Sequence, residues 1–189
     1  MIDSWKTLKI LIATRDLPAL GPTPRAGRLP LPELNQKIDR FLVDTKLSAA
    51  LQPTVRSAAL LWHDYLEESH TISQDIPSAY GSFLHGIMHR REPDYANAKY
   101  WFHRAGRHRS FSDIAIQLAR LLETKGETEL AAKLAPRGDW DPFAFVDACR
   151  QAAESPYSTA AIQTLQAVQE IEFDCLLAHL IQAQAAQPI

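Results

Sequence analysis

The spacing of apolar residues constrains this chain more than any other feature. From Pro32 onward they recur three or four positions apart in one segment after another, as they do along one face of an α-helix. The first such segment, "PELNQKIDRFLVDTKL", repeats Leu34, Ile38, Phe41 and Leu42 at these intervals. Long alternating runs of β-branched residues are missing from the sequence. The pattern therefore predicts an all-α fold.

Capping residues divide the rest of the chain into further helices. We predict one helix from about Pro53 to His70, with Ser78 and Asp94 as the N-caps of the next two. The remaining predicted helices lie in "DIAIQLARLLETKG", "ETELAAKLA", "FAFVDACRQAA" and the segment from about Ser158. A chain of 189 residues is long enough to bury one sizeable core. We expect a single domain of about seven or eight helices packed as antiparallel hairpins.

The N-terminal part of the chain is rich in proline. Five of the twelve prolines fall between Pro18 and Pro32. Because proline fixes φ and lacks an N–H donor, this composition opposes both helix and central strand. We therefore expect residues 1–32 to form an N-terminal segment with an extended Pro-rich arm, and residues 33–189 to form the α-helical domain.

Charge and cysteine content limit the compartment and the partners. The formal net charge of −2 gives no overall attraction to nucleic acid, and no apolar run is long enough to span a membrane. Cys149 and Cys175 form neither a CxxC pair nor a disulfide framework, which is typical of a reducing compartment. The sequence thus predicts a cytoplasmic protein that binds neither nucleic acid nor membranes.

Histidine and glutamate recur at helical spacing in "WHDYLEESH". His63, Glu67 and His70 are four and three residues apart, so on one continuous helix they lie within an arc of roughly 60°. The predicted helix from Pro53 to His70 would carry all three on a single face. Neutral imidazole and carboxylate are both ligands of zinc, iron and manganese.

The next predicted helix repeats the spacing with His85, His89 and Glu92. Two such stripes on adjacent antiparallel helices can converge on one divalent metal. The apolar side of this helix leaves His85 and His89 on roughly the opposite face, so the sequence leaves open whether the two stripes meet. The candidate metal ligands are His63, Glu67, His70, His85 and His89.

The same region also allows a metal-free interpretation. Histidine suits general acid or base chemistry near neutral pH, and a neighbouring carboxylate raises its basicity. His63, Asp64 and His70 are the catalytic candidates, with Ser69 or Ser73 as a nearby hydroxyl. The sequence leaves open whether the chain is an enzyme.

Cations are concentrated between His85 and Arg109, where five arginines and one lysine face two carboxylates. Guanidinium groups make bidentate bonds to phosphate and carboxylate. Our leading prediction is a concavity lined by histidine, arginine and carboxylate that binds a small polar or anionic ligand. Its predicted ligand-binding residues are His85, His89, Arg90, Arg91, Lys99 and Arg104. The alternatives are a metal-dependent hydrolase and a helical-repeat module that binds another protein.

The run "GSFLHGIMHRREPDYANAKYWFHRAG" resembles a helical hairpin of the Sel-like branch of the tetratricopeptide superfamily. The residues that carry the resemblance are Leu84, Gly86, Asp94, Ala98, Trp101, Phe102 and Ala105. It implies two antiparallel helices in close contact, with the aromatic pair filling the groove between them. The segments "WHD…ESHTISQ" and "HGIMHRREPDY.NAKYWF" together are also similar to a group of bacterial proteins of unknown activity. That resemblance implies that the two segments act as one unit.

Overall fold

The computed structural model describes residues 4–185, and this part of the chain is a single, entirely helical domain. The all-α prediction is therefore confirmed. Residues 1–3 and 186–189, at the ends of the two predicted ranges, lie outside the described part. The helices are α1 (Ser4–Leu11), α2 (Leu31–Thr45), α3 (Gln52–Trp62), α4 (Leu66–Ser73), α5 (Ala79–Arg91), α6 (Tyr95–Ala105), α7 (Phe111–Lys125), α8 (Thr128–Leu134), α9 (Pro142–Glu154) and α10 (Thr159–Ala185), with a 3₁₀ helix at Pro136–Gly138.

The ten α-helices between residues 4 and 185 exceed the predicted seven or eight for two reasons. The sequence predicts no helix at α1, whose apolar run is short. It also predicts one helix over residues 53–70, where the structure has α3 and α4.

The break between α3 and α4 lies at Asp64. Its φ of 65° is in the left-handed region, which Asp adopts more readily than most residues. The Asp64 carboxylate accepts hydrogen bonds from the backbone N and Nε of Arg25, at 2.9 and 2.8 Å, and from Nη2 of Arg91 at 2.7 Å. These contacts hold the turn in place. Because the helix is interrupted here, His63 and His70 do not share one helical face.

Helices α5 and α6 form the closest hairpin of the domain. A Cβ at Gly86 would lie 3.1 Å from the ring of Phe102, so glycine lets the two helices approach. The predicted N-caps are confirmed: Ser78 Oγ accepts from the backbone N of Gly81, and Asp94 Oδ1 accepts from that of Asn97. The hairpin therefore holds both helices in a fixed register.

Residues 13–30, here called the strap, contain no helix and run across the helical body. The hydroxyl of Tyr65 donates to the carbonyl of Leu29 at 2.6 Å. On α10, Nε2 of Gln166 donates to the carbonyl of Pro18 at 3.1 Å. The strap is thus fastened to α10 and to the turn between α3 and α4.

Helix α10, with 27 residues, is the longest in the described chain. It packs against α1, α7 and α9 and buries Phe173, Leu176 and Leu177 in the core. Its polar residues Gln169 and Glu172 are buried as well. Between residues 4 and 185, none of the helices combines the length and the apolar character needed to cross a bilayer.

Candidate metal centre

Three histidines from two helices meet inside the domain. His70 comes from α4, and His85 and His89 from α5; one potential ligand atom of each lies within 4.8 Å of those of the other two. The Nε2 atoms of His85 and His89 are 2.9 Å apart. The ring of His70 meets those of His85 and His89 edge to face, with centroids 4.6 and 5.2 Å away. The two predicted stripes therefore meet, though through only part of their residues.

The two α5 histidines of the cluster are buried in the domain. His85 and His89 are spaced by four residues and share one side of the helix, but that side is covered by α4 and α6. Their exposed fractions are 2% and 6%, whereas His70 is half-buried at the edge of the cluster. Residues 81–91 of α5 are buried all round. The side that carries His85 and His89, whose exposure the sequence left open, is therefore covered.

The hydrogen bonds around the α5 histidines indicate where their protons lie. The hydroxyl of Ser73 donates to the carbonyl of His70 at 3.2 Å, and its oxygen lies 3.4 Å from Nδ1 of His85. Nδ2 of Asn97 lies 3.2 Å from Nε2 of His89 and donates to it. Nε2 of His89 is therefore an acceptor, and in the metal-free protein the Nε2–H of His85 donates to it across the 2.9 Å contact. A metal ion bound by both nitrogens would displace this proton.

A carboxylate completes the surroundings of His89. Oε2 of Glu92 lies 3.5 Å from Nδ1 of His89 on the side of the ring away from His85. Histidines that bind metals commonly donate their second N–H to a carboxylate or another oxygen, which fixes the ring and raises its basicity. Glu92 is placed to supply such an oxygen to His89, whose Nδ1 is buried without a hydrogen-bond partner in the described chain.

Burial also keeps these rings neutral. Loss of hydration, assisted by the like charges of His89 and His70, lowers the pKa of His85 from 6.5 to about 3. The pKa of His89 is lowered too, chiefly by burial. Because a metal binds the neutral imidazole, protons compete little for these two rings near pH 7.

The indole of Trp101 covers one side of the cluster. Its ring stacks on His85 with centroids 3.9 Å apart and an angle of 20° between the planes. The guanidinium carbon of Arg104 lies 4.8 Å from the centroid of the Trp101 ring. Trp101 is half-buried here, so it belongs to the wall of the site and not to the core groove in which the sequence placed it. Phe102, the other member of the aromatic pair, is in the core.

Two of the predicted metal ligands lie outside the cluster. Nε2 of His63 contacts the carbonyl of Leu11 at 3.0 Å, at the base of the strap. Glu67 is exposed on α4. The catalytic candidate Asp64 is bound to Arg25 and Arg91. The turn at Asp64 explains the placement of His63, because it ends α3 and separates this residue from α4; Glu67 shares α4 with His70 but is exposed.

The predicted cationic lining of the concavity does not assemble around the histidines. Arg90 is fully buried and forms a bidentate pair with Glu172, and Arg91 is buried against Asp64. Lys99 binds both carboxylate oxygens of Asp147 at 2.8 Å. Of the four predicted cations, only Arg104 lies beside the cluster, where its guanidinium contacts the ring of Trp101. This corrects the sequence-based picture, since long-range ion pairs occupy the other three.

The geometry does not favour Ser69 or Ser73 as the reactive hydroxyl of a metal-free catalytic site. Ser69 is buried against Ser57, with the two Oγ atoms 2.9 Å apart. Ser73 lies near His85 but donates its proton to a backbone carbonyl. Asn97 and Trp101, which sequence reasoning missed as site residues, are four apart on α6, so their shared face towards α5 was the available signal. No protein-family model, curated protein or solved structure matches the chain.

Proposed function

We propose that this chain binds one divalent transition-metal ion through His70, His85 and His89, and that the ion uses an open fourth position for hydrolysis. The observation that carries the proposal is the convergence of three imidazoles, whose potential ligand atoms lie within 4.8 Å of one another and of which two are buried with their Nε2 atoms 2.9 Å apart. Three imidazoles are a ligand set typical of catalytic zinc.

The distances fit a tetrahedral ion after a small movement. Zn–N bonds of 2.0–2.1 Å at tetrahedral angles place two ligand nitrogens roughly 3.3 Å apart. Opening the His85–His89 contact by roughly 0.4 Å would reach that spacing. Since His70 is half-buried, a ring turn or small helix shift can bring its nitrogen to the same point without repacking the core.

The chemistry follows from the open position. A metal held by three neutral histidines keeps its double positive charge and lowers the pKa of bound water to about 7. The resulting hydroxide adds to the carbonyl carbon of an ester; the C–O bond breaks, and the leaving alkoxide takes a proton from water. Trp101 and Arg104 lie at the edge of the cluster, where a substrate with an anionic group would approach.

Cobalt(II) tests the coordination. We expect one equivalent of Co²⁺ to give the intense visible absorption of a four-coordinate ion, and azide to shift that spectrum by entering the fourth position. The His85→Gln variant should lose the spectrum and the exposed-site control His103→Gln should keep it. A weak, six-coordinate spectrum that is the same in all three proteins would contradict the proposed centre.

Hydrolysis needs its own measurement. The zinc-loaded protein should hydrolyse p-nitrophenyl acetate with a rate that rises with pH as the bound water ionises, and removal of the metal by a chelator should abolish the rate. If Co²⁺ binds as proposed but azide leaves its spectrum unchanged and no ester is hydrolysed, the fourth position is closed and the hydrolase part of the proposal is wrong.

A further inference from the structure

A polar cavity lies between the strap and the helical body. Its volume is about 240 Å³. Residues 13–16 and 25–29 of the strap line it, together with Lys37 of α2 and His63 of the body. The cavity shares no residue with the candidate metal centre, so each of the two proposals can be tested independently of the other.

The lining of this cavity is strongly cationic. The lining holds Arg15, Arg25, Arg28 and Lys37 against one carboxylate, that of Asp16. Asp64 and Glu33 lie outside the lining and pair with Arg25 and Lys37. Such a charge balance in a concave site concentrates field lines and favours a small anion. The net charge of the whole protein is −2, so the cation excess is a local property of this cavity.

Several of these cations keep donors available. Within the described chain, Arg15 is exposed and has no ion-pair or hydrogen-bond partner. Lys37 makes an exposed contact with Glu33 at 3.3 Å. Arg28 uses Nη1 to bind the carbonyl of Asp64 at 2.9 Å, which leaves its other N–H groups for a ligand.

Arg25 is held rigidly at the inner end of the cavity. Its Nε binds Oδ2 of Asp64 at 2.8 Å, and its Nη1 binds Oγ1 of Thr14 at 2.8 Å. Its Nη1 also donates to the carbonyl of Asp16 at 2.7 Å, and its Nη2 donates to the carbonyl of Trp62, which leaves one Nη2–H for a ligand. A guanidinium fixed in this way loses little side-chain entropy when an anion binds.

His63 gives the cavity a group that can accept a proton. A carbonyl oxygen only accepts hydrogen bonds, so the Nε2 of His63 that contacts Leu11 carries the proton. Its Nδ1 is buried and has no hydrogen-bond partner in the described chain. An unpaired buried acceptor costs free energy, and protonation of Nδ1 would convert it into a fifth positive charge beside the cavity.

The charges around His63 explain why it is neutral without a ligand. Burial is the main cause that lowers its pKa, and Arg25 and Lys37 lower it further. The Leu11 carbonyl and Asp64 act in the opposite direction. An anion placed among Arg25, Lys37 and His63 would offset the two cations, so it would favour the imidazolium form.

We propose that this cavity binds a small oxyanion of the phosphate or sulfate type and that His63 takes up a proton when the anion binds. The occupant is a free dianion or the terminal phosphate of a small monoester, since about 240 Å³ admits little more. The strap supplies most of the ligands, so binding also fastens the strap to the body.

Sulfate is the cleanest probe because its charge stays at −2 throughout the neutral range. Titration calorimetry of the full chain at pH 6 and pH 8 should show one saturable site, with affinity about tenfold higher at pH 6. Repeating the pH 6 titration in two buffers of different ionisation enthalpy should show proton uptake. The Arg15→Ala variant should bind about fivefold more weakly, which is the usual size of one exposed charge contact. The control Arg120→Ala, an exposed arginine on α7, should bind like the parent protein.

The variant His63→Gln tests proton uptake separately from anion binding. The amide nitrogen of glutamine can still donate to the Leu11 carbonyl but cannot take up a proton. We expect it to bind sulfate at pH 8 within about twofold of the parent protein and to lose the gain at pH 6. Inorganic phosphate and a short phosphate monoester, tested at pH 8, then distinguish a free anion from a monoester as the preferred occupant. Absence of saturable sulfate binding, equal loss in Arg15→Ala and Arg120→Ala, or an unchanged pH dependence in His63→Gln would overturn the proposal.

Discussion

The guanidinium of Arg90 and the carboxylate of Glu172 form a bidentate ion pair in the core of the domain. Nη1 lies 3.0 Å from Oε1 and Nη2 lies 2.6 Å from Oε2, and both side chains are fully buried. The ring of Phe145 lies against the guanidinium, 4.3 Å from its carbon to the ring centroid. The pair joins α5, which carries two of the cluster histidines, to α10.

Removing one partner of this ion pair should lower the free energy of unfolding more than replacing both partners with apolar residues. Arg90→Met leaves the Glu172 carboxylate buried without a counter-charge, so we expect it to lower the free energy of unfolding by about 3–5 kcal/mol. The double variant Arg90→Met with Glu172→Met has no buried charge and should recover most of that loss. Urea denaturation followed by circular dichroism measures both; a loss under 1 kcal/mol in the single variant would contradict the buried pair.

The backbone in front of α5 leaves no room for a side chain at Gly81. A Cβ there would lie 2.4 Å from the carbonyl oxygen of Ile76 and 2.5 Å from its Cβ. Gly81→Ala must therefore move the loop before α5, and we expect it to cost about 1–3 kcal/mol. Gly21→Ala is the matched control, because nothing lies within 4 Å of its Cβ position. Equal unfolding free energies for the two variants would show that the close approach is absent.

Acid should destabilise the metal-free protein through the cluster histidines. The pKa of His85 is about 3 in the folded chain and about 6.5 when unfolded. The unfolded state therefore binds more protons as the pH falls, and stability present above pH 6.5 is lost on the way towards pH 3. From pH 7 to pH 5 this histidine alone accounts for about 2 kcal/mol.

The variant His85→Asn tests this assignment through the pH dependence of the unfolding free energy and not through its value at a single pH. We expect the drop in unfolding free energy between pH 7 and pH 5 to be about 2 kcal/mol smaller than in the parent protein. His103→Asn removes an exposed histidine and should leave the drop unchanged. The same drop in all three proteins would mean that His85 is not held neutral by the fold.

Glu92 should support the metal without binding it. Its carboxylate is 3.5 Å from Nδ1 of His89, and loss of such a supporting partner typically weakens metal binding by about 10- to 100-fold. We therefore expect Glu92→Ala to raise the dissociation constant for Zn²⁺ by about tenfold. Glu67→Ala removes an exposed carboxylate from α4 and should change it by less than about twofold. Equal effects of both variants would indicate a general charge effect.

Local patterns predicted most of the helices and the shared side of the two α5 histidines of the cluster. The helical spacing of His85 and His89 and the caps Ser78 and Asp94 are properties of neighbouring residues, and the structure has them as predicted. The meeting of His70 with the α5 histidines depends on how α4 packs against α5, which was left open at the sequence level.

Long-range contacts account for what the sequence did not predict. The turn at Asp64 depends on Arg25, 39 positions earlier, and on Arg91, 27 positions later. The burial of Arg90 depends on Glu172, 82 positions away. Helical periodicity contains no information about such partners, so the sequence could not decide whether the histidine side of α5 is solvated or covered.

Metal stoichiometry tests the central claim most directly. The parent protein, His85→Gln and His63→Gln should each be stripped with a chelator, incubated with excess Zn²⁺, passed through a desalting column and analysed for zinc, after circular dichroism has shown that all three are folded. We expect one zinc per chain in the parent protein and in His63→Gln, and less than about a tenth of that in His85→Gln. Zinc retained equally by His85→Gln, or lost from His63→Gln instead, would contradict a centre formed by His70, His85 and His89.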